Sequence, residues 1–340
     1  MDIKEFPFYN KIYHLDKNKL KNILKNFKIT ISTKKPKNLD VEFNKLTYPL
    51  SKNDKKKLEK NIKEIKEYCF IELDYFKNLE INQLADYYTE PCRIECETNN
   101  QSPLNYFNEN KNKFKNLSLI EMRKMIYKGV RTCSNFNIVF SINILKLFKP
   151  KIWIDISSGW GDRLMSAICY NLLGGKLKKY IGSDPNPCLQ QYYNKMINDL
   201  THVNDKSINY KVIQNGFIEA DFNKYLGKDK CDLIFSSPPF FTVEKYSSSE
   251  EDSITKFNTI DEWKFGFLFK SIEKSYELLR KDGYLALYIE DRDDFKFIED
   301  MKNYAKVVGF ADTGSIYYYF PNEGFKYQSK PREIFVFKKN

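Results

Sequence analysis

Apolar and polar positions follow two different rhythms along the chain, and the change falls near residue 150. Before it the spacing is helical. Ser51 can cap a helix over 51–70, in which Leu58, Ile62, Ile65 and Cys69 fall on one face. Ser118-Leu119-Ile120-Glu121 has the form of a capping box and opens a second helix that ends near Gly129. A third runs over 137–148 and is stopped by Pro150. Beyond Lys151, short β-rich runs at 152–156, 180–183, 210–213, 233–235 and 284–289 alternate with helical stretches at 163–173, 189–200 and 263–279. This alternation predicts an α/β, Rossmann-like, doubly wound sheet. A helix over 295–307 and β segments at 311–320 and 333–337 follow. The last two are separated by a stretch with Pro321, Gly324 and Pro331 and no helix-length insert, so they are expected to pair antiparallel. The expectation is a seven-stranded sheet, five βα units and a terminal antiparallel hairpin, preceded by a mainly helical N-terminal region.

Composition sets bounds on this picture. The chain has 340 residues, 42% of them hydrophobic, with 24 Tyr and 27 Phe, which is enough to bury a full core and excludes global disorder. No apolar run approaches the ~20 residues of a bilayer span. Asp2, Lys4 and Glu5 stand where a secretory signal would place its basic and apolar segments, so an intracellular protein, cytoplasmic or nuclear, is expected. Seven cysteines, an odd number scattered along the chain, agree with reduced thiols. Cys92 and Cys96 are close together, but His14 and His202, the only histidines, are not near them, so no metal site is expected. Two histidines also weigh against triads and histidine bases.

The charge is uneven. Residues 1–150 hold 29 Lys and Arg against 18 Asp and Glu, whereas 151–340 hold 27 of each, so the whole excess of +11 belongs to the N-terminal part. Its lysines, at 17–28, 34–37 and 52–66, are interleaved with Phe, Tyr, Ile and Leu, as on a folded basic surface. A polyanion, above all nucleic acid, is the natural partner; a solvated helix face is the plainer alternative.

In an open α/β sheet, ligands bind where strand C-termini feed their loops, and three such loops are unusual. The first strand runs into Asp155-Ile156-Ser157-Ser158-Gly159-Trp160-Gly161-Asp162-Arg163, where two glycines permit a sharp turn and close approach to a ligand at a helix N-terminus. A dinucleotide fingerprint requires Gly or Ala at position 164, and Leu164 stands there, which argues against NAD. The second strand ends at Asp184, 23 residues beyond Gly161, near the offset at which an acid meets ribose hydroxyls. The fourth runs into Ser236-Ser237-Pro238-Pro239-Phe240-Phe241, a loop stiffened by two prolines, with an aromatic able to stack on a planar ring.

At these residues the sequence resembles the class I S-adenosylmethionine-dependent methyltransferases, and within them the amino methyltransferases that modify adenine N6 or cytosine N4. The likeness covers about residues 120–340 and extends to DNA methylase-like proteins of phages and large viruses. It implies a methyltransferase domain over 116–340, with 1–115 as a basic part for nucleic-acid binding or target recognition, and DNA favoured over RNA. It implies S-adenosylmethionine as cofactor, with Asp155 by its amino group, Ser157, Gly159, Trp160 and Gly161 around it, Asp184 on its ribose, Phe217 flanking its adenine, and Asn135 in a segment, 131–136, that closes over it. The resemblance assigns catalysis to Ser237, Pro238, Pro239 and Phe240. Ser237 and the Pro238 carbonyl would accept the amine hydrogens, and Phe240 would hold an extruded base by stacking. The 242–260 loop would act as a lid. A protein or small-molecule substrate, or a catalytically silent binding subunit, are the alternatives.

Overall fold

The computed structural model describes residues 3–25, 69–72, 80–98, 100–130, 132, 133, 135–201, 208–241, 245, 246, 253–292, 294–319 and 332–340. Eight strands form one sheet: β1 Cys69–Glu72, β2 Ile152–Asp155, β3 Lys179–Ser183, β4 Asn209–Ile213, β5 Cys231–Ser236, β6 Leu279–Tyr288, β7 Phe310–Tyr319 and β8 Arg332–Lys339. Their order is β1-β7-β8-β6-β5-β2-β3-β4. Neighbours are parallel except β8, which runs antiparallel to both β6 and β7. The seven expected strands and the terminal hairpin are present, and the last strand inserts between β6 and β7.

β1 was not expected. Most of the 51–70 helix predicted from spacing lies outside the described residues, but its last two positions, Cys69 and Phe70, are strand. β1 lies parallel to β7, along what would otherwise be an open edge of the sheet.

The local signals for the helices hold. Ser118 accepts from the Glu121 amide at 3.3 Å while Glu121 accepts from the Ser118 amide at 2.9 Å, starting the helix Leu119–Gly129. Asn137 caps Ile138–Phe148 through the Phe140 amide, 2.7 Å away. Two further helical stretches stand out, one where the sequence marked no helix and one that departs from the predicted span. The third βα unit carries only Asn223–Leu226, closed by Gly227 at φ +67°. The helix predicted over 263–279 is interrupted by a π-turn at Lys264–Leu268 that contains Gly266, before Phe269–Leu278 resumes.

The pleat sends alternate residues of β2 and β5 to opposite faces. Trp153, Leu233 and Phe235 join Ile142, Leu164 and Tyr180 in one buried cluster, while Ile154 and Ile234 join Trp263, Ile272 and Met301 in another. Leu20 and Leu24, from the helix Lys17–Lys25, and Tyr88, from the helix Asp86–Arg93, belong to the first cluster. A third cluster joins Phe107 and Phe114 to Ile126 and Val130. Among the described residues the core therefore runs across position 115. No described helix is long and apolar enough to cross a membrane.

Candidate active site

β3, β2 and β5 are consecutive neighbours, so the three unusual loops emerge side by side at one edge. The chain leaves β2 toward β3 and β4 and returns on the other side at β5, which makes this a topological switch point. Hydrogen bonds connect the loops directly. Gly159 donates its amide to Asp184 Oδ2 at 2.8 Å, and Ser158 donates to the Ser183 carbonyl at 2.9 Å. On the other side, the Ser157 amide donates to Ser236 Oγ at 3.2 Å, and Ser157 Oγ donates to the Ser237 carbonyl at 3.1 Å.

The two glycines have different tasks. Gly159 has φ +53°, and the position a Cβ would take there faces open space. Gly161 has φ +82°, but its Cβ position meets the Met196 methyl at 3.1 Å and Thr89 at 3.5 Å. One leaves a cradle at the strand edge; the other lets the loop pack on the protein. Asp184 accepts from Gly159 and, at 3.0 Å, from the Asn186 amide. Burial pushes its pKa up to about 6 against these bonds.

Asp155 has a different role from the one the resemblance implies. It is fully buried, receives Arg163 Nε on both oxygens at 3.0 and 2.9 Å, and accepts from Tyr180 at 2.8 Å and Ser236 at 2.7 Å. Four donor contacts from the protein occupy the carboxylate, leaving it no place beside a cofactor amino group. It holds Arg163 and Ser236, and Arg163 in turn donates to the Ser157 carbonyl. Arg163 follows Gly161 by two residues, so the helix turn after the glycines brings its cation back under the loop; this was the signal the sequence offered.

Phe217, which the resemblance sets beside the cofactor adenine, is a core residue here. Its ring is buried in the second core cluster, 5.1 Å from Phe222 and beneath the Lys274 ammonium. Trp160 is buried too, 6.1 Å from the Tyr246 ring. Tyr246 and Lys245 belong to the expected lid; Lys245 bridges to Glu97, and the segments 242–244 and 247–252 lie outside the described residues.

The largest omission from the sequence-based site is the helix Asp86–Arg93. Thr89 Oγ donates to the Trp160 carbonyl at 2.7 Å. Asn135 donates to Asp86 at 2.8 Å and Asp162 at 3.4 Å, and Asp162 also accepts from the Phe136 amide at 3.1 Å. Arg93 pairs with Asp86 at 2.7 Å, while Arg123 and Tyr127 donate to Glu90. Burial, then the nearby Asp86 charge, push Asp162 up to about 7. Pro91 inside this helix masked its helical character in the sequence.

Two cysteine pairs are joined across the same contact, where the sequence predicted reduced thiols. Cys92 pairs with Cys188, just beyond Asp184, and Cys96 with Cys133, in the segment before Asn135. The partners are 96 and 37 residues apart, so only folding makes them neighbours. Cys169 and Cys231 are free and buried.

The strand order, the reversed β8 between β6 and β7 and the switch-point loops together decide the architecture. The fold is a Rossmann-like mixed sheet with a terminal antiparallel hairpin, as the sequence predicted. No family model matches the sequence, and no curated protein does. Among solved structures the chain is similar to a methyltransferase from Pyrococcus furiosus (18% identity, 60% of this chain and 83% of that one, TM-score 0.38). It is also similar to precorrin-6y C5,15-methyltransferase from Geobacter metallireducens (12% identity, 60% and 87%, TM-score 0.39). A third is an rRNA methylase from Streptococcus thermophilus (16% identity, 61% and 98%, TM-score 0.35).

The residues fit the adenosyl cofactor that the sequence resemblance implies. Gly159 provides an open cradle beside the Asp184 carboxylate. Asn135 Oδ1 and Arg93 Nε are buried and, among the described residues, have no hydrogen-bond partner. An acceptor and a donor left without partners match, in chemistry, the ammonium and carboxylate of an amino-acid moiety.

Proposed function

We propose that this chain transfers a methyl group from S-adenosylmethionine to an amino nitrogen conjugated with a planar ring, and that the ring is a nucleic-acid base, cytosine or adenine. One observation carries the reading: Ser157 holds the Ser237 carbonyl, which fixes the Pro-Pro loop beside the open cradle of Gly159. The cofactor supplies a methyl group activated on a sulfonium sulfur. Asp184 holds the ribose, Gly159 lies beneath it, and Asn135 with Arg93 receives the amino-acid end.

An amine conjugated with a ring is a poor nucleophile because its lone pair is delocalised. Ser237 Oγ and the Pro238 carbonyl accept its two hydrogens, which draws the nitrogen toward tetrahedral geometry and aims the lone pair. Proline at 239 removes the amide that would otherwise approach the amine; the N–C bond forms as the S–C bond breaks to leave a neutral thioether, and the now acidic methylated nitrogen releases its proton to water, so no strong base is needed. Phe240 is half-buried, 5.6 Å from the Tyr288 ring, and offers the stacking surface.

The localised positive charge favours a polynucleotide. A second reading, a small-molecule or protein amine, draws on a specific observation: Arg93 is buried and Arg123 half-buried, both in ion pairs with Asp86 and Glu90, so they add little to a free basic surface. The lysines at 34–37 and 52–66 lie outside the described residues. The precorrin and rRNA methylases named above carry both substrate classes in their names. Incubation with cofactor labelled in the methyl group, followed by digestion to nucleosides and mass analysis, tests the first reading. Label in a small amine or a protein instead selects the second, and cofactor binding without transfer to any acceptor overturns both.

Cofactor binding is expected to depend on pH. Asp184 must be ionised to accept ribose hydroxyls, and its pKa stands at about 6, so affinity falls as pH drops through that value. Titration calorimetry at pH 8 and pH 5 reads this directly; equal affinities at both would remove Asp184 from the site. The stability effect has the opposite sign. A carboxyl raised by burial favours the folded state most below its unfolded value, and that contribution is lost as pH rises through about 6.

Gly159→Val is expected to weaken cofactor binding by more than about tenfold while the chain still folds, since the side chain enters the cradle and a β-branched residue resists positive φ. Unchanged affinity in that variant would place the cofactor elsewhere.

A further inference from the structure

Beyond the Pro-Pro loop the sheet edge carries a second group of residues to which nothing so far gives a role. β6 ends at Tyr288 and the antiparallel β8 begins at Arg332, so both reach the ligand edge beside Phe240. Their side chains form an aromatic floor. The Tyr288 ring lies 5.6 Å from Phe240, 5.8 Å from Phe136 and 6.1 Å from Tyr318. Over this floor stands the Arg332 guanidinium, 5.7 Å from the Tyr288 ring and 6.0 Å from that of Tyr318, with one hydrogen bond to Tyr318 Oη at 3.4 Å.

Arg332 is half-buried and, among the described residues, has no carboxylate within ion-pair distance. The nearest acid in this group, Glu290, accepts from Tyr288 at 2.7 Å. A guanidinium is always charged and presents five donors in a fixed fork, and one weak bond to a phenol leaves most of that capacity for an oxyanion. Stacking on two tyrosines limits its orientation and keeps the fork directed. Tyr288 lies between it and Phe240, 5.7 Å from the guanidinium and 5.6 Å from the Phe240 ring, so cation and stacking surface share one aromatic neighbour at this edge.

We propose that Arg332 is a specificity-determining residue that grips the phosphate of the nucleotide whose base stacks on Phe240, making the substrate a nucleotide rather than a free base or nucleoside. This rests on the nucleic-acid reading of the site above. The phosphate contact adds affinity without touching the reacting amine, so it acts on substrate binding and leaves the chemical step alone.

The test compares full-length wild type with Arg332→Gln and Arg332→Lys. Binding of deoxycytidine and dCMP, and of adenosine and AMP, is measured by calorimetry in the presence of S-adenosylhomocysteine. Wild type is expected to prefer the monophosphates, Arg332→Gln to lose roughly ten- to a hundredfold of that preference without changing nucleoside affinity, and Arg332→Lys to recover part of it. With a short single-stranded oligonucleotide, Arg332→Gln is expected to reduce the slope of log K against log salt by about one. Thermal unfolding of each variant separates misfolding from lost contact, and the lysine variant keeps the cation if glutamine disturbs the aromatic floor. An unchanged phosphate preference in Arg332→Gln, an equal loss for nucleoside and nucleotide, or no monophosphate preference in wild type overturns the inference. Failure of the underlying reading has a different signature: wild type binds nucleotides through Arg332 but transfers no labelled methyl to them.

Discussion

Ser237→Ala is expected to lower kcat for methyl transfer by about a hundred- to a thousandfold with cofactor affinity unchanged, the scale of removing one preorganised hydrogen-bonding group from a reacting centre. The structure makes the variant informative. The bond that fixes this loop runs from Ser157 Oγ to the main-chain carbonyl of Ser237, and alanine retains that carbonyl. The loop stays in place and only the hydroxyl is lost. Phe240→Ala acts on binding instead: loss of a stacking surface costs about 1–3 kcal/mol per base, so KM rises about five- to 150-fold. Phe241, next along, is held at φ +51° with its ring 5.6 Å from Phe295 and 6.2 Å from Trp263, so the two phenylalanines diverge and truncating Phe240 leaves this anchor intact. Radiolabel transfer with saturating cofactor measures both variants. Full activity in the pair would show that the amine is not bound at this loop.

Arg163→Met is expected to have the largest effect on stability. Arg163 and Asp155 are both buried, and Asp155 has no other cationic hydrogen-bond partner among its four donor contacts. Removing one member of a buried ion pair costs about 3–5 kcal/mol, because the remaining charge has been taken out of water without compensation. The double replacement Asp155→Leu with Arg163→Met leaves no buried charge and is expected to cost less than the single one. Urea unfolding midpoints of the three proteins provide the comparison. A single variant within about 1 kcal/mol of wild type would mean that solvent reaches the pair.

These results separate the two roles of the loop after β2. Gly159 faces the open edge, while Asp155, Arg163 and Gly161 form the structure behind it. Sequence reasoning grouped them because they are consecutive. Strand geometry divides them, since alternate residues point to opposite faces and the following helix turn folds back on the strand.

What the sequence by itself determined is what depends on near neighbours. Strand and helix periodicity located seven of the eight strands, Ser118 and Asn137 identified two helix starts, and glycine and proline marked the loops at the ends of β2 and β5. The place of Asp184 at the end of β3, beside the glycine loop, was readable because one βα unit has a nearly constant length. Tertiary structure alone decided the rest. It put β1 on the edge of β7, brought Cys92 to Cys188, seated the helix Asp86–Arg93 on the glycine loop, and set Arg332 beside Tyr288. Each of these joins residues dozens to hundreds of positions apart. Such contacts arise when buried surfaces and unpaired charges find one another in the folded chain, and neither periodicity nor spacing records that search.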